Sequence, residues 1–356
     1  MLLKNQKQSI GIDISSKTFT ACHCLFDFHE GLSFSEVHSF SNDKHGFNQF
    51  MRWVSKETIK GIDMILLMEA TGVYHQDLAY HLVKLKKRVV IALPNKTSNY
   101  FKSLHMKSKT DDIDAKVLSR FAVERDHQFW QAPSNQYKKL RELTRHHKQL
   151  QEHKTSVGNI LHSNDAAFDT EKLVKDSNKA IIKVIESRIK ACEKAIEALL
   201  KENQEIFEGY KRITTIKGVG MITAATVLAE TNGFDNIHSC KQLVSFAGLD
   251  VVQFESGTSV KRKTKISKKG NRYIRASLYF PAIAATRYNP ILKSNYARIL
   301  ARNPIKMIGQ VAIQRKLLVL IYAIWKNKTE FDPLYKKVAP VKTEATQDTT
   351  PMEIVP

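Results

Sequence analysis

Five consecutive apolar residues, Met64-Ile65-Leu66-Leu67-Met68, constrain the fold more than any other stretch of this chain. As a strand, such a run has no polar face, so both sides need cover; that is the situation of a parallel sheet flanked by helices. Ser9-Ile10-Gly11-Ile12-Asp13-Ile14 reads as a companion apolar strand. Further strands are expected at Thr18–Cys22 and around Leu32 to Phe40, and Arg88 to Leu93 reads as a buried strand stopped by Pro94. Between them, Lys44 to Thr58 carries Phe47, Phe50, Met51 and Val54 at helical spacing, and a second helix is expected from about Tyr74 to Leu85. This order of elements predicts an α/β domain over about residues 1 to 130.

Two of these strands carry a lone acid. Asp13 lies within one and Glu69 ends another, and a charge in either place is costly unless it is paired or bound to a cation. A third acidic site follows at Lys109-Thr110-Asp111-Asp112-Ile113-Asp114-Ala115. Thr110 or Asp111 can cap a helix opening there, and the carboxylates suit the positive end of its dipole. Ile113, Val117, Leu118, Phe121 and Ala122 supply its apolar face. Asp111 and Asp114, three residues apart, share a face.

If the two acid-bearing strands are neighbours, Asp13 and Glu69 come together and the acidic helix can cover the same edge. The four carboxylates Asp13, Glu69, Asp111 and Asp114 can then hold a pair of Mg²⁺ or Mn²⁺ ions about 3.5–4 Å apart, the clamp used for phosphodiester displacement. Each acid has a plainer reading when taken singly. Asp13 can be a polar strand end, Glu69 the partner of a lysine on the next helix, and the aspartates a solvated helix start. Their joint placement favours metal binding.

The charge balance points to the partner. Fifty-six Lys and Arg residues against 35 Asp and Glu give a net charge of +21, a field that attracts polyanions, nucleic acid first among them. The basic residues are not gathered on one amphipathic helix, which argues against a membrane surface. No signal-peptide core follows Met1, and the late apolar run Leu317 to Trp325 is short of the ~20 residues that span a bilayer. A soluble, cytoplasmic protein is expected. The four cysteines are scattered, and Cys22-x-Cys24 lacks zinc spacing and reads as packing.

Residues 134 to 205 are rich in Lys, Glu, Gln, Leu and His and nearly free of Gly and Pro. Two long helices are expected, about Asn135 to His162 and Leu173 to Glu205, with a break at Ser163-Asn164-Asp165-Ala166-Ala167. The second helix has a narrow apolar stripe, including Ile181, Ile185, Ile189 and Ile196, that needs a partner helix. From residue 206 to about 335 a third, mostly α region is expected. Ile216-Lys217-Gly218-Val219-Gly220 has the look of a helix-hairpin-helix turn, in which Gly218 and Gly220 let backbone approach a phosphate; a plain glycine turn is the alternative. Phe234 to Ala247 reads as a helix, and Pro281 to Lys328 as apolar helix forming the core.

The most basic stretch runs from Ser256-Gly257 through Lys261-Arg262-Lys263, Lys268-Lys269-Gly270-Asn271-Arg272 to Arg275, with no acid in it. Interleaved Gly, Ser and Asn suit a loop that grips phosphates. The tail from about residue 336 to 356 has no periodicity and is expected to be disordered.

Taken together, Gly11-Ile12-Asp13-Ile14, Glu69-Ala70-Thr71-Gly72-Val73-Tyr74-His75, Pro94, Lys109-Thr110-Asp111-x-x-Asp114-Ala115, Gly248-Leu249, Ser256-Gly257 and Ile266-Ser267-Lys268-Lys269-Gly270-Asn271 with Arg275 resemble the DEDD transposases of bacterial insertion sequences, a family that includes the Piv-type DNA invertases. The resemblance spans nearly the whole chain. It implies a RuvC-like, ribonuclease-H-type first domain with its four acids on Asp13, Glu69, Asp111 and Asp114, and a coiled-coil middle that assembles a homo-oligomer, dimer or tetramer. It implies a catalytic serine at Ser256, which nothing else in the sequence sets above Ser259 or Ser267. DNA contacts by Lys109 and the basic residues named above, an active site completed between protomers, a structured RNA that guides donor and target DNA, and a bacterial, nucleoid-associated location are further implications. One departure stands out: Asp250-Val251 occupies the place where Ala/Val-Pro is usual.

Three functions are consistent with this reading: a DNA recombinase with a serine nucleophile, a Mg²⁺-dependent junction nuclease using the acids alone, and a nucleic-acid-binding protein without catalysis. The full set of acids favours the first two. A sugar-kinase reading of Gly11-Ile12-Asp13-Ile14 lacks a second glycine-rich phosphate loop.

Overall fold

The computed structural model describes residues 6–70, 72–106, 108, 110–257, 260–261 and 264–333, with 260 and 261 as backbone. Two compact units divide the chain, Met1–Ala132 and Pro133–Pro356.

The first unit runs β1 (Gln6–Ile14), β2 (Thr18–Asp27), β3 (Gly31–Phe34), β4 (His38–Ser41), α1 (Lys44–Glu57), β5 (Met64–Glu69), α2 (Gln76–Lys84), β6 (Arg88–Ala92), α3 (Pro94–Ser103) and α4 (Asp111–Glu124). Its sheet has the order β3-β2-β1-β5-β6, with β4 also on β2. β1 is antiparallel to β2, and β1, β5 and β6 are mutually parallel. The apolar run of β5 is therefore central and covered twice. Ile10, Ile12, Ile14, Leu66 and Met68 pack against Phe47, Phe50 and Val54 of α1 and Leu78 and Leu82 of α2. On the opposite face, Leu67, Val90 and Ala92 pack against Tyr100 of α3 and Val117, Leu118 and Phe121 of α4.

Two features differ from the sequence expectation. The single strand expected near Leu32 to Phe40 is two, because the ten-residue β2 pairs with β4 over Thr18–Ala21 and with β3 over Cys24–Asp27. Pro94 does stop β6, but it also opens α3: a proline at the first helical position gives up only an N–H that would have no partner there.

The second unit is mostly helical: α5 (Asn135–Ala166), α6 (Lys172–Lys201), α7 (Gln204–Thr214), α8 (Met221–Thr231), α9 (Cys240–Phe246), four two-residue strands β7 (Val251–Val252), β8 (Glu255–Ser256), β9 (Val260–Lys261) and β10 (Lys265–Ile266), then α10 (Arg272–Ser277), α11 (Tyr279–Tyr288), α12 (Pro290–Arg302) and α13 (Lys306–Asn327). α5 and α6 form an antiparallel pair, with Leu140 against Cys192, Ile196 and Leu199 near one end and the Lys154–Glu186 ion pair (2.7 Å) further along. α5 continues through the expected break to Ala166, and α6 stops at Lys201 because Asn203 caps α7, accepting from the Ile206 N–H at 3.1 Å. The helix expected over Phe234 to Ala247 is shorter, since Ser239 caps a fresh start and accepts from Gln242 N–H at 3.1 Å. α13 is long and apolar enough to cross a membrane by length and composition. Its Ile313, Leu317, Leu318, Ile321 and Ile324 nonetheless lie in the core of this unit, with Phe234, Leu243 and Leu278. The tail expected to be disordered lies outside the described residues.

Candidate active site

Strand register brings the first two acids side by side. Ile12 of β1 is opposite Met68 of β5, so Asp13 and Glu69 are the next residues on adjacent parallel strands, which run about 4.8 Å apart. Alternation sends Ile10, Ile12 and Ile14 to the α1–α2 face, leaving Ser9, Gly11 and Asp13 on the face that carries Leu67 and Glu69. α4 covers that face and runs antiparallel to β1. At one end Ser9 Oγ donates to the Ser119 carbonyl at 2.7 Å. In the middle, a Cβ on Gly11 would collide with the Ser119 nitrogen and the Ala115 carbonyl oxygen, so only glycine allows this approach. At the other end Thr20, the cross-strand partner of Asp13, donates to the Asp111 carbonyl at 3.2 Å. The first turn of α4 therefore lies at the strand ends that carry Asp13 and Glu69.

That turn is fixed by Thr110, whose hydroxyl accepts from Ile113 N–H at 3.3 Å. Asp114 is buried (8% exposed), Asp13 and Glu69 are half-buried, and Asp111 and Asp112 are exposed. The Glu69 carboxylate is held by α3: Thr97, 1% exposed, donates its hydroxyl to Glu69 Oε2 at 2.5 Å. Sequence reading missed this contact along with the helix that makes it. The usable signal was Pro94 with Thr97 three residues on, within a first helical turn. Lys109 lies outside the described residues.

Among the described residues no three His, Cys, Asp or Glu side chains form a ready cage for a metal ion. The all-carboxylate donor set nevertheless suits a hard divalent cation. Mg²⁺ in phosphoryl-transfer sites is ordinarily held by one or two carboxylates and completed by substrate phosphates and water, and the neighbouring strand-end acids meet that requirement. Cys22 and Cys24 are buried in β2, and burial, the largest cause, pushes the Cys24 thiol up to about 12. His23 leaves the opposite side of the strand toward Gln8 and Glu57. The three residues do not converge.

In the second unit, described parts of the basic segment form short paired strands where a loop was expected. Val251 and Val252 pair with Ile266 and Lys265, and Glu255 and Ser256 pair with Lys261 and Val260, making a β ribbon with exposed Ser256 on its outer part. At its base Ser267 Oγ donates to the Asp250 carboxylate at 2.5 Å. Asn271 is used twice over. Its Oδ1 caps α10, accepting from the Tyr273 and Ile274 N–H groups at 2.9 and 3.1 Å, while its Nδ2 donates to Glu230 at 2.6 Å. Glu230, 5% exposed, also takes a two-pronged bond from Arg145 at 2.7 and 2.9 Å. Arg275 Nη1 donates to the Ala247 carbonyl at 2.7 Å.

Asn271 and Arg275 thus face the fold, whereas Lys268, Lys269 and Arg272 are exposed. The side chain of Lys261 and all of Arg262 and Lys263 lie outside the described residues. Of the two glycines between α7 and α8, Gly218 has φ +103°, and a Cβ there would stand 3.0 Å from the Pro281 carbonyl and the Ala285 nitrogen of α11. It serves helix packing. Gly220, at the cap of α8, is open to solvent.

Known transposases match spans in both units. A transposase profile of the DEDD IS110 type matches residues 10–164, the span that holds all four acids, and one described as "Transposase IS116/IS110/IS902 family" matches residues 210–297, the span that holds the ribbon and the basic segment. Over 328 residues, 92% of this chain and 98% of the relative, the chain is 28% identical to the pilin gene-inverting protein of Moraxella bovis, and the figures are the same for that of Moraxella lacunata. It is 33% identical over 96 residues, 27% of this chain and 25% of the relative, to the transposase for insertion sequence element IS1111A of Coxiella burnetii. The chain belongs to the IS116/IS110/IS902 family of transposases, enzymes of the DNA transposase and recombinase class.

Proposed function

We propose that this chain cuts and rejoins DNA at the ends of its own insertion element, using one acidic centre made of Asp13, Glu69, Asp111 and Asp114 in a RuvC-like first domain and the Ser256 hydroxyl as nucleophile. The observation that carries the reading is the strand register that sets Asp13 beside Glu69 under the capped first turn of α4. A divalent ion, Mg²⁺ or Mn²⁺, would be held by these acids and would supply Lewis-acid stabilisation of the phosphate charge. The Ser256 oxygen forms a bond to phosphorus as the bond from phosphorus to a deoxyribose oxygen breaks. The serine proton passes to solvent or a carboxylate, and the covalent link keeps the bond energy for rejoining.

Exposed Lys268, Lys269 and Arg272 suit contacts to backbone phosphates, while Asn271, Arg275 and Gly218 shape the frame around them. A homo-oligomer built along α5 and α6 is supported by apolar side chains left exposed there, Ile160, Leu173, Ile181 and Val184. A structured RNA that pairs with donor and target DNA extends the reading, and the net charge of +21 supports such a partner. The reaction belongs in the bacterial cytoplasm, where that DNA is.

The test is a denaturing gel of the purified protein after incubation with Mg²⁺, RNA from expressing cells and DNA carrying the element ends. The wild type is expected to leave a covalent protein–DNA band that Ser256→Ala abolishes. Unchanged cleavage by Ser256→Ala would replace the recombinase with a hydrolytic nuclease.

A further inference from the structure

We infer that Thr97 is a positioning residue for Glu69, the hydroxyl that aims this carboxylate within the acidic centre. The inference rests on the reading of Glu69 as a metal-holding acid. Pro94 locks the start of α3, and Thr97 follows in its first turn with 1% of its surface exposed. Water does not reach such a hydroxyl, so its single proton goes to a protein acceptor. Two acceptors are in range: the Pro94 carbonyl at 3.0 Å, within its own helix, and Glu69 Oε2 at 2.5 Å. An ionised carboxylate is the stronger acceptor, and the shorter distance agrees.

The consequence is directional. Glu69 ends β5 beside Ala92 of β6, and the segment after Ala92 leads into α3. Thr97 therefore ties Oε2 to the α3 side and limits the rotation of a carboxylate that would hold a cation at the strand ends. The donor is also neutral. A lysine in the same place would cancel the charge on which a cation depends, whereas a hydroxyl orients the carboxylate and leaves its charge intact. Carboxylates that hold metals are typically themselves hydrogen-bonded, and losing such a partner costs about 10- to 100-fold in metal affinity or activity.

Mn²⁺ titration of the purified full chain without DNA, with the bound fraction read by electron paramagnetic resonance, separates this role from simple packing. Thr97→Val keeps the shape and removes the donor, Thr97→Ser keeps the donor, and Glu69→Gln removes the acid's charge. Thr97→Val is expected to weaken Mn²⁺ binding about 10-fold or more, Thr97→Ser to stay near wild type, and Glu69→Gln to weaken binding at least as much as Thr97→Val. Thermal melts check that each variant is folded; if Thr97→Val is not, Thr97→Ala carries the same comparison. Wild-type Mn²⁺ binding by the donor-less variant, alongside a clear loss in Glu69→Gln, would overturn the role of Thr97 alone. Unchanged binding in Glu69→Gln would overturn the assignment of Glu69 itself, and the role of Thr97 with it.

Discussion

The Ser267 hydroxyl donates to the Asp250 carboxylate at 2.5 Å, and the Ser267 N–H donates to the Asp250 carbonyl at 2.9 Å. These two residues close the base of the ribbon that carries Ser256, with the pairs Val251–Ile266 and Val252–Lys265 just beyond them. In the Asp250-Val251 departure from the Ala/Val-Pro pattern of the resembled family, Asp250 stands at the Ala/Val position, and its carboxylate supplies a pin that an apolar side chain there could not. Asp250→Ala is expected to loosen the ribbon by about 1 kcal/mol, the worth of one partly exposed hydrogen bond. Amide exchange across residues 251–257 should then speed up about 5-fold with little change in the global melt, and recombination should fall.

Gly11 sets how close the acidic helix comes to the strand beneath it. A methyl group there meets backbone atoms of Ser119, Ala115 and Leu118, none of which can swing aside as a side chain can. Gly11→Ala is expected to cost about 1–3 kcal/mol or more, the usual range for overpacking a core. Urea unfolding followed by the fluorescence of Trp53 and Trp130 in the first unit would measure it.

Glu230 is a buried acid held by Arg145 and Asn271, and through Asn271 it anchors the start of α10. Glu230→Ala leaves the Asn271 amide without its acceptor and the Arg145 guanidinium without its carboxylate. The guanidinium retains access to water, so the expected loss is about 1–3 kcal/mol. Arg145→Ala and the double variant complete a thermodynamic cycle, and a coupling energy well above zero is expected from denaturant melts.

His23 makes the first unit sensitive to acid. Burial, the dominant influence, lowers its pKa below the ordinary 6.5, with Glu57 at 3.8 Å pulling more weakly the other way. A group whose pKa is depressed by folding takes up protons more readily in the unfolded chain. Its stabilisation is therefore present above pH 6.5 and is lost as the pH falls through 6.5 toward the lower folded value. The melting temperature of wild type should drop between about pH 7 and 5.5, and His23→Gln, which cannot ionise, should flatten that drop.

Placement of the acids at one sheet end was legible because it follows from short-range rules. An apolar run such as Met64–Met68 calls for a doubly covered strand, and the two-residue period fixes which face Asp13 and Glu69 share. Thr110 and the apolar spacing after it likewise mark the start of α4 locally. What escaped was long-range. The ribbon of residues 251–266 pairs strands only two residues long, with basic and polar residues where an apolar alternation would have signalled a strand. Asn271 and Arg275 look like phosphate ligands by residue type, and only tertiary packing spends them on Glu230 and Ala247. Thr97 is hidden in the sequence because a proline after a strand signals an end, although the same φ restriction also begins helices.

The most direct measurement asks whether the four acids act as one unit. Recombination of a plasmid carrying the gene with its flanking DNA is scored in cells for Asp13→Asn, Glu69→Gln, Asp111→Asn and Asp114→Asn and for the pair Asp13→Asn with Asp114→Asn, with protein levels and melts checked for each. The expected result is a loss of about 100-fold or more in every single variant and no further loss in the double, the non-additivity of groups that work together. Wild-type recombination by Asp13→Asn, or losses that simply multiply in the double variant, would contradict a single acidic centre.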